Sequence, residues 1–563
     1  MAECPTVKTT CGLVKGKVSK AVDKTAKIVY QFLGIRYGQA PTGKLRFCNP
    51  LKAKPWEGTF QAVHTFKNCP QIHEVSLMCD EMLPSKNELN FDPIAREEDC
   101  LKLNIFTPEC DDKAKLPVMV YFTGGHYQRL AGGRTSGSAL AGMNNVVNVV
   151  LNHRVNAFGF LSLGKDSCCP GNLGLRDAIL ALEWIRNNAK AFGGDPDNVT
   201  LFGESSGSGM IHLLMMSPLS RGLFHKAILM SGTVLSSFLF SDDLAVVRDL
   251  FLKQFGLDAK TMEDGDILEK LQSLSVEQIL EAQKGFTSFT SFMPCVDGYV
   301  ITDTPAQLIK AGHVSPVPLL IGCTNSDGTG LLSMLNFSDY EKGLSEEVVK
   351  ATFKATYLHM YKDGDAEDAY QTASKFYRID ENSNDPLRYS EFQGNMVTDT
   401  IFLVPSIAAA SAHVAMGQPT YFYEMTQQLE FSHSETNGPE VRKKPEFVRC
   451  DHADDLFFVL GVPFIEGKLS LGAHFTDDEV ELSRHVMRYF TNFAKSGYAA
   501  IIFSNPNKPI NVEVEWPAYT ADAYRQHMVL QIPLETDKNL GLEKAAFYQK
   551  QMEHAKAHNK NVQ

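Results

Sequence analysis

The chain is poor in the features that would make it a membrane, metal or nucleic-acid protein. No window approaches eighteen consecutive apolar residues, so no transmembrane span is implied. The amino terminus MAECPTVKTTCGLVKGK lacks the apolar core of a secretory signal, and the expectation is a cytoplasmic chain, or a secreted one if this is a mature form given a new start Met. Twelve cysteines are spread without a CxxC pair, and HExxH is missing, so no metal site is expected. Basic charge is in deficit: 54 Lys and Arg face 66 Asp and Glu, a net charge of −12, which argues against a nucleic-acid partner. There is no internal repeat, no low-complexity tract and no Pro/Gly/Ser-rich linker, so residues 1–563 read as one domain.

What remains is an ordinary globular balance of 44% hydrophobic and 21% charged residues. Short apolar runs suited to buried strands are LPVMVYF (116–122), VVNVVLNHR (146–154), NVTLF (198–202), KAILM (226–230), VPLLIG (317–322) and PTYFYEM (419–425). Helix-periodic segments stand between them, such as GLRDAILALEWIRNNAKAF (174–192) and the apolar GMIHLLMM (209–216). Strands apolar throughout, alternating with helices, predict an α/β architecture with a mostly parallel sheet covered on both faces. The charged helical stretches 242–289 and 345–377 read as insertions capping that sheet, and the carboxy-terminal segment starts helical and is expected to fray.

The chemistry concentrates in LFGESSGSG (201–209). Gly203-Glu204-Ser205-Ser206-Gly207 fits G-x-S-x-G, follows a strand and precedes a helix, which is the context of a nucleophile elbow. Ser205 is the candidate nucleophile, centred between two glycines as Ser206 and Ser208 are not. A serine needs a base, and the base an orienting acid, in the chain order serine, acid, histidine. Asp327 lies in a loop after VPLLIG, and His452 follows in CDHADDLFFVLG (450–461). Read alone, SDG is a turn and a single histidine a structural residue; the order and context join them to Ser205. Gly124, Gly125 and His126, after LPVMVYF, form a glycine-rich loop whose backbone, with that of Ser206, can donate to an oxyanion.

With these residues in place, the chain resembles the type-B carboxylesterase/lipase family nearly end to end. FLGIRYGQAPTGKLRF (32–47), KPWEG (54–58), EEDCLKLNIFTP (97–108), NHRVNAFGFLS (152–162), the run 171–207, MSG (230–232) and EWPAY (515–519) follow in the family's order. The resemblance implies an α/β-hydrolase fold, carboxylic ester hydrolysis without a cofactor, a catalytic Ser205, Asp327 and His452, and an oxyanion hole from Gly125, His126 and Ser206. Gly124, Glu204 and Ser231 are expected beside them. Asp rather than Glu as the acid, in Thr324-Asn325-Ser326-Asp327-Gly328, is similar to the bile-salt-activated carboxyl ester lipase branch. Asp451, Asp454 and Asp455 are then loop and helix-start residues. Cys69 and Cys100 match the family's first disulfide loop, with Cys79 an extra thiol inside it, while the second cysteine pair is missing.

Two departures stand out: His126 occupies a position where the family carries Gly or Ala, and Ser206 one where Ala is usual. The expectations are a backbone N–H from each and an imidazole that narrows the site, with a direct role of that imidazole in deacylation as the sharper alternative. Aromatic residues such as Tyr127 and Phe158 suggest an apolar pocket. The expected partner is a small-molecule or lipid ester, with self-association left open. Asn198 and Asn336 head glycosylation sequons by pattern. The rival readings are a catalytically weak adhesion module of the same family and an acyltransferase with an acceptor other than water.

Overall fold

The computed structural model describes residues 5–19, 26–72, 96–242, 244–286, 291–334, 337, 340–361, 364–382, 384–429, 431–432, 442–465, 474–499, 514–522 and 524–562. Its centre is an eleven-stranded sheet. From one edge the strands are Glu535–Asp537, His527–Leu530, Thr420–Met425, Leu319–Thr324, Lys226–Met230, Gly194–Glu204, Leu116–Phe122, Val147–Leu151, Lys102–Thr107, Tyr30–Arg36 and Lys17–Val18. The seven strands from His527–Leu530 to Val147–Leu151 are parallel. Both flanks turn antiparallel, at Glu535–Asp537 on one side and from Lys102–Thr107 onward on the other. Parallel pairing needs long crossovers, and the apolar strands joined through helices supply them, whereas the flanking segments do not.

Burial follows the sequence pattern. Leu116–Phe122, Lys226–Met230 and Leu319–Thr324 are buried at every position. Alternate side chains feed opposite faces, so Val118, Val120 and Phe122 join one apolar cluster while Met119 and Tyr121 join the other. The first cluster takes in the helices Leu173–Asn188, Ser206–Met216 and Val404–Ala415. The second takes in Ser138–Asn144 and Asp477–Ser496. The latter helix starts with a Thr476/Glu479 capping box and stops at Gly497, at φ +80°.

The stretch 242–289 contains the helices Ala245–Lys253, Asp264–Ser273 and Val276–Glu281, and 345–377 contains Glu346–Tyr361 and Ala366–Phe376. The carboxy-terminal segment does not fray where its polarity suggested: the helix Leu542–Val562 persists, with Phe547 stacked on Phe376 at 4.2 Å and the Tyr548 hydroxyl 2.9 Å from that of Tyr377. Packing of one apolar edge overrides the polar composition of the rest.

Arg388–Ala415 is a continuous 28-residue helix apolar enough to span a membrane, with a window of mean hydropathy 1.3, although no unbroken apolar run flagged it. That window is 67% buried inside the fold, which accounts for its composition. Cys69 and Cys100 are joined in a disulfide; Cys79 and Asn336 lie outside the described residues. The Asn198 sequon is built into the fold, with Asn198 Oδ1 accepting from Lys226 Nζ and Thr200 fully buried in the central strand.

Behind the sheet, Arg154 and Asp177 form a two-point ion pair at 2.8 and 2.7 Å, their side chains 2% and 0% exposed. Arg154 also donates to the Cys48 carbonyl at 2.8 Å, and the runs NHRVNAFGF and GLRDA meet through one buried charge pair.

Candidate active site

The carboxyl ends of five adjacent parallel strands carry the candidate residues, the edge at which open α/β sheets bind ligands. Gly194–Glu204 ends at Ser205, held at φ +56°, ψ −124° as the N-cap of Ser206–Met216. A non-glycine residue rarely adopts such torsions, and the surroundings must enforce them. The Ser205 N–H donates to the Met230 carbonyl at 2.9 Å on the neighbouring strand. A Cβ on Gly207 would lie 2.1 Å from the Phe122 carbonyl oxygen, so the helix can start this close to the sheet only with glycine there. Ser205 is partly exposed at the tip of the turn.

Asp327 follows Leu319–Thr324, and His452 follows Thr420–Met425 in the chain. Their loops are laced together: Ser326 N–H donates to the Cys450 carbonyl at 2.9 Å, and Ser326 and Asp451 form a parallel bridge. As a result His452 Nδ1 lies 2.7 Å from Asp327 Oδ1. The other carboxylate oxygen accepts from Ser231 Oγ at 2.8 Å and from the Thr324 N–H at 3.0 Å. Ser231 is thus a direct partner of the acid. Asp327 is completely buried, and both of its carboxylate oxygens accept hydrogen bonds.

His452 Nε2 lies 3.0 Å from Glu204 Oε1, and among the described residues no hydrogen bond joins it to Ser205. Burial pulls this imidazole down, but Glu204, Asp327 and Asp451 outweigh it and raise it to about 9. Burial pushes the Glu204 carboxyl up to about 8, with His452 opposing. Glu204 therefore does more than precede the serine: its carboxyl faces Nε2 at ion-pair distance, outside hydrogen-bond geometry, while Asp327 bonds Nδ1. Its sequence signal was only its place in the motif.

The remaining acids of the His452 loop have local work. Asp451 Oδ1 accepts from the N–H groups of Gly330 and His452, at 2.7 and 2.8 Å. Asp454 pairs with the buried Lys444. Asp455 accepts from the Tyr423 hydroxyl at 2.7 Å.

The glycine-rich loop leaves Leu116–Phe122 on the other side of the Ser205 strand. A Cβ on Gly124 would meet Glu204 Oε2 at 2.6 Å and Ser205 Cβ at 3.1 Å, which places this backbone against the elbow. Gly125, His126 and Tyr127 all have positive φ, of 122°, 53° and 58°. Tyr127 N–H donates to Ser206 Oγ at 3.2 Å, so the departure at Ser206 supplies an acceptor that ties loop to elbow. Among the described residues the N–H groups of Gly125 and His126 meet no hydrogen-bond acceptor. Ser206 opens its helix, where the first N–H groups have no intrahelical acceptor.

The His126 side chain turns away from the base. Its Nε2 pairs with the Phe238 carbonyl at 3.0 Å, its Nδ1 lies 3.4 Å from Ser291 Oγ, and its ring is 4.4 Å from that of Phe238. Burial lowers it to about 4, so it is neutral. Tyr127 and Phe158 are core residues instead of pocket walls. Tyr127 is 1% exposed with its hydroxyl on the Leu239 carbonyl, and Phe158 stacks on Phe47 at 5.6 Å.

A cavity of about 600 Å³ is walled by Phe238, Phe337, Ala351, Met360, Val397 and Ile401. Phe238 is the residue His126 holds, and Ile401 precedes Phe402, whose ring lies 4.8 Å from that of His452. Ile401 and Phe402 belong to a π-helical segment, Thr398–Leu403, inside the long apolar helix. Thr398 Oγ1 accepts from the Gly328 N–H at 2.8 Å beside Asp327, and Asp399 accepts from Tyr377 at 2.5 Å and Lys544 at 2.8 Å. One turn thus touches the acid loop, the imidazole, the cavity and the carboxy-terminal helix. Among the described residues no three His, Cys, Asp or Glu side chains converge as a metal would require.

The sheet order, the strand-turn-helix at Ser205 and the paired loops of Asp327 and His452 define an α/β-hydrolase. The chain belongs to the carboxylesterase family, whose model matches residues 3–548, and is by family a carboxylic ester hydrolase. It is 32% identical to a medium-chain fatty acyl-CoA hydrolase precursor of Anas platyrhynchos, over 97% of this chain and 92% of that one. It is 32% identical to carboxylesterase 5A of Canis lupus familiaris, over 97% and 89%. It is 30% identical to neuroligin-3 of Mus musculus, over 93% of this chain and 64% of that one.

Proposed function

We propose that the protein hydrolyses apolar or lipid-like carboxylic esters through an acyl-enzyme on Ser205. His452 takes the Ser205 proton as the hydroxyl attacks the ester carbonyl, and Asp327 holds the imidazole and stabilises its charged form. The N–H groups of Gly125, His126 and Ser206 receive the developing oxyanion, each donor being worth about 3 to 4 kcal/mol in the transition state. The proton passes from His452 to the leaving alcohol; water, deprotonated by the same imidazole, then releases the acid and frees Ser205.

The observation that carries this reading is the 2.7 Å contact of His452 Nδ1 with Asp327, beside a serine held at a strained elbow. The free enzyme has Nε2 against Glu204, so the imidazole must swing toward Ser205 on binding substrate, and such contacts commonly tighten only then. The cavity's apolar walls support a chain of several carbons. Since one relative is named as a medium-chain acyl-CoA hydrolase, acyl thioesters belong in the substrate panel beside oxygen esters.

The similarity to neuroligin-3 favours a second reading, a binding module. Mass spectrometry after organophosphate treatment separates the two. A single adduct on Ser205, with turnover of p-nitrophenyl esters from acetate to palmitate, is expected; an unmodified Ser205 and no turnover would leave the binding module.

A further inference from the structure

Across residues 392–415 the long apolar helix carries a single Asp, Glu, Lys or Arg, and that residue is Asp399. It is 0% exposed and sits in the π-helical turn Thr398–Leu403, a geometry frequent at functional sites. A carboxylate in such a wall must be paired. Its partners come from other segments: Oδ1 accepts from Lys544 Nζ at 2.8 Å, on the carboxy-terminal helix Leu542–Val562, and Oδ2 from the Tyr377 hydroxyl at 2.5 Å. Tyr548, one turn beyond Lys544, meets that same hydroxyl at 2.9 Å. The start of this helix also closes on the end of the turn, since a Cβ on Gly541 would lie 2.8 Å from Ile407 Cδ1 and 3.2 Å from Leu403 Cδ2.

The turn gripped in this way touches both the acid loop and the base. Thr398 Oγ1 donates to the Gly394 carbonyl at 2.8 Å and accepts from the N–H of Gly328, the residue after Asp327. The approach leaves no slack: a Cβ on Gly328 would collide with Thr398 N and lie 2.6 Å from the Gly394 carbonyl oxygen. Further along the same turn the Phe402 ring, itself buried, packs against His452. Close-packed interiors transmit a shift instead of absorbing it, so a turn released by Lys544 carries the acid loop and the imidazole with it.

We propose that Lys544 and Tyr377 are positioning residues, which by holding Asp399 lock the π-helical turn and so keep His452 and the Asp327 loop in register for proton transfer from Ser205. The inference rests on ester hydrolysis by Ser205, Asp327 and His452, and makes the carboxy-terminal helix part of that apparatus.

The test compares full-length wild type with Lys544→Met, Lys544→Arg, Tyr377→Phe and the double variant Asp399→Leu with Lys544→Met on p-nitrophenyl butyrate. Each kcat is expressed per Ser205 titrated to completion by an organophosphate, so that loss of folded enzyme cancels. Lys544→Met is expected to lose about tenfold or more in kcat with KM within about twofold, and Lys544→Arg, which keeps the charge, to stay within about threefold of wild type. Replacing both members of a buried pair by apolar residues leaves stability near wild type, and Tyr377 still has Tyr548, so the double variant is expected to hold its thermal midpoint and still lose about tenfold in kcat. Tyr377→Phe keeps both charges and decides the matter should Lys544→Met not fold, with a loss of about threefold or more expected. Variants that turn over like wild type per titrated site, whatever their thermal midpoints, overturn the proposal and assign the pair to stability alone. A loss confined to KM, or one that Lys544→Arg shares in full, overturns it as well. A wild type inert toward every ester refutes the hydrolytic reading and this proposal with it, whereas an active wild type matched by its variants refutes the proposal alone.

Discussion

Replacing Glu204 by Gln probes the electrostatics of the site most directly. His452 is raised from an ordinary 6.5 to about 9 because Glu204 heads the groups that outweigh burial, followed by Asp327 and Asp451. A base must be neutral to accept the Ser205 proton, so kcat/KM of wild type is expected to climb with pH toward a midpoint near 9. Glu204→Gln keeps the shape and removes the charge. With the acid at Nδ1 unchanged, the imidazole should lose at least tenfold in proton affinity, about 1.4 kcal/mol, and the midpoint should fall by about one pH unit or more.

The assay is kcat/KM for p-nitrophenyl butyrate from pH 5.5 to 10, with the variant's folding checked by circular dichroism. A midpoint near 6.5 in wild type, unmoved by the substitution, would refute the reasoning. Stability carries the same sign. Glu204 is raised from 4.5 to about 8, so both groups hold protons more tightly in the folded chain than in the unfolded one. The His452 contribution is fully present below pH 6.5 and is lost as pH rises through about 9. Glu204 acts in the same direction between 4.5 and about 8, and Glu204→Gln should flatten the decline in thermal midpoint across that range.

Asp177→Ala strands the Arg154 guanidinium in the core and should cost about 3 to 5 kcal/mol in denaturant unfolding, whereas a loss below 1 kcal/mol would show that the pair is solvated. His126→Ala removes the bond to Phe238 at the cavity wall, so selectivity between short and bulky esters should change while single-turnover deacylation of a small acyl group stays constant. A slowed deacylation would return the imidazole to a direct role. Opening the Cys69–Cys100 disulfide with dithiothreitol, or Cys69→Ala, should remove about 2 to 4 kcal/mol, and an unchanged thermal midpoint would mean that the two thiols are reduced in the isolated protein.

Much of the fold was legible because its strands are apolar on both faces, and only a sheet covered on both faces buries such strands. The antiparallel flanks were not, since Lys102–Thr107 is as buried as the parallel strands and direction is set by the connections. The segment Arg388–Ala415 hid its role because no motif marks a helix whose turn merely touches the acid loop and the base.

By itself the sequence determined what a local turn can encode: the elbow at Ser205, the glycine loop before His126 and the chain order of Ser205, Asp327 and His452. Those depend on neighbours a few residues away and on glycines without a Cβ to clash. Only the tertiary structure decided where the side chains point. Glu204 faces His452, and the His126 ring faces Phe238. Each of these orientations depends on contacts between segments far apart in the chain, and packing in three dimensions, which no short run of residues contains, selects among their rotamers.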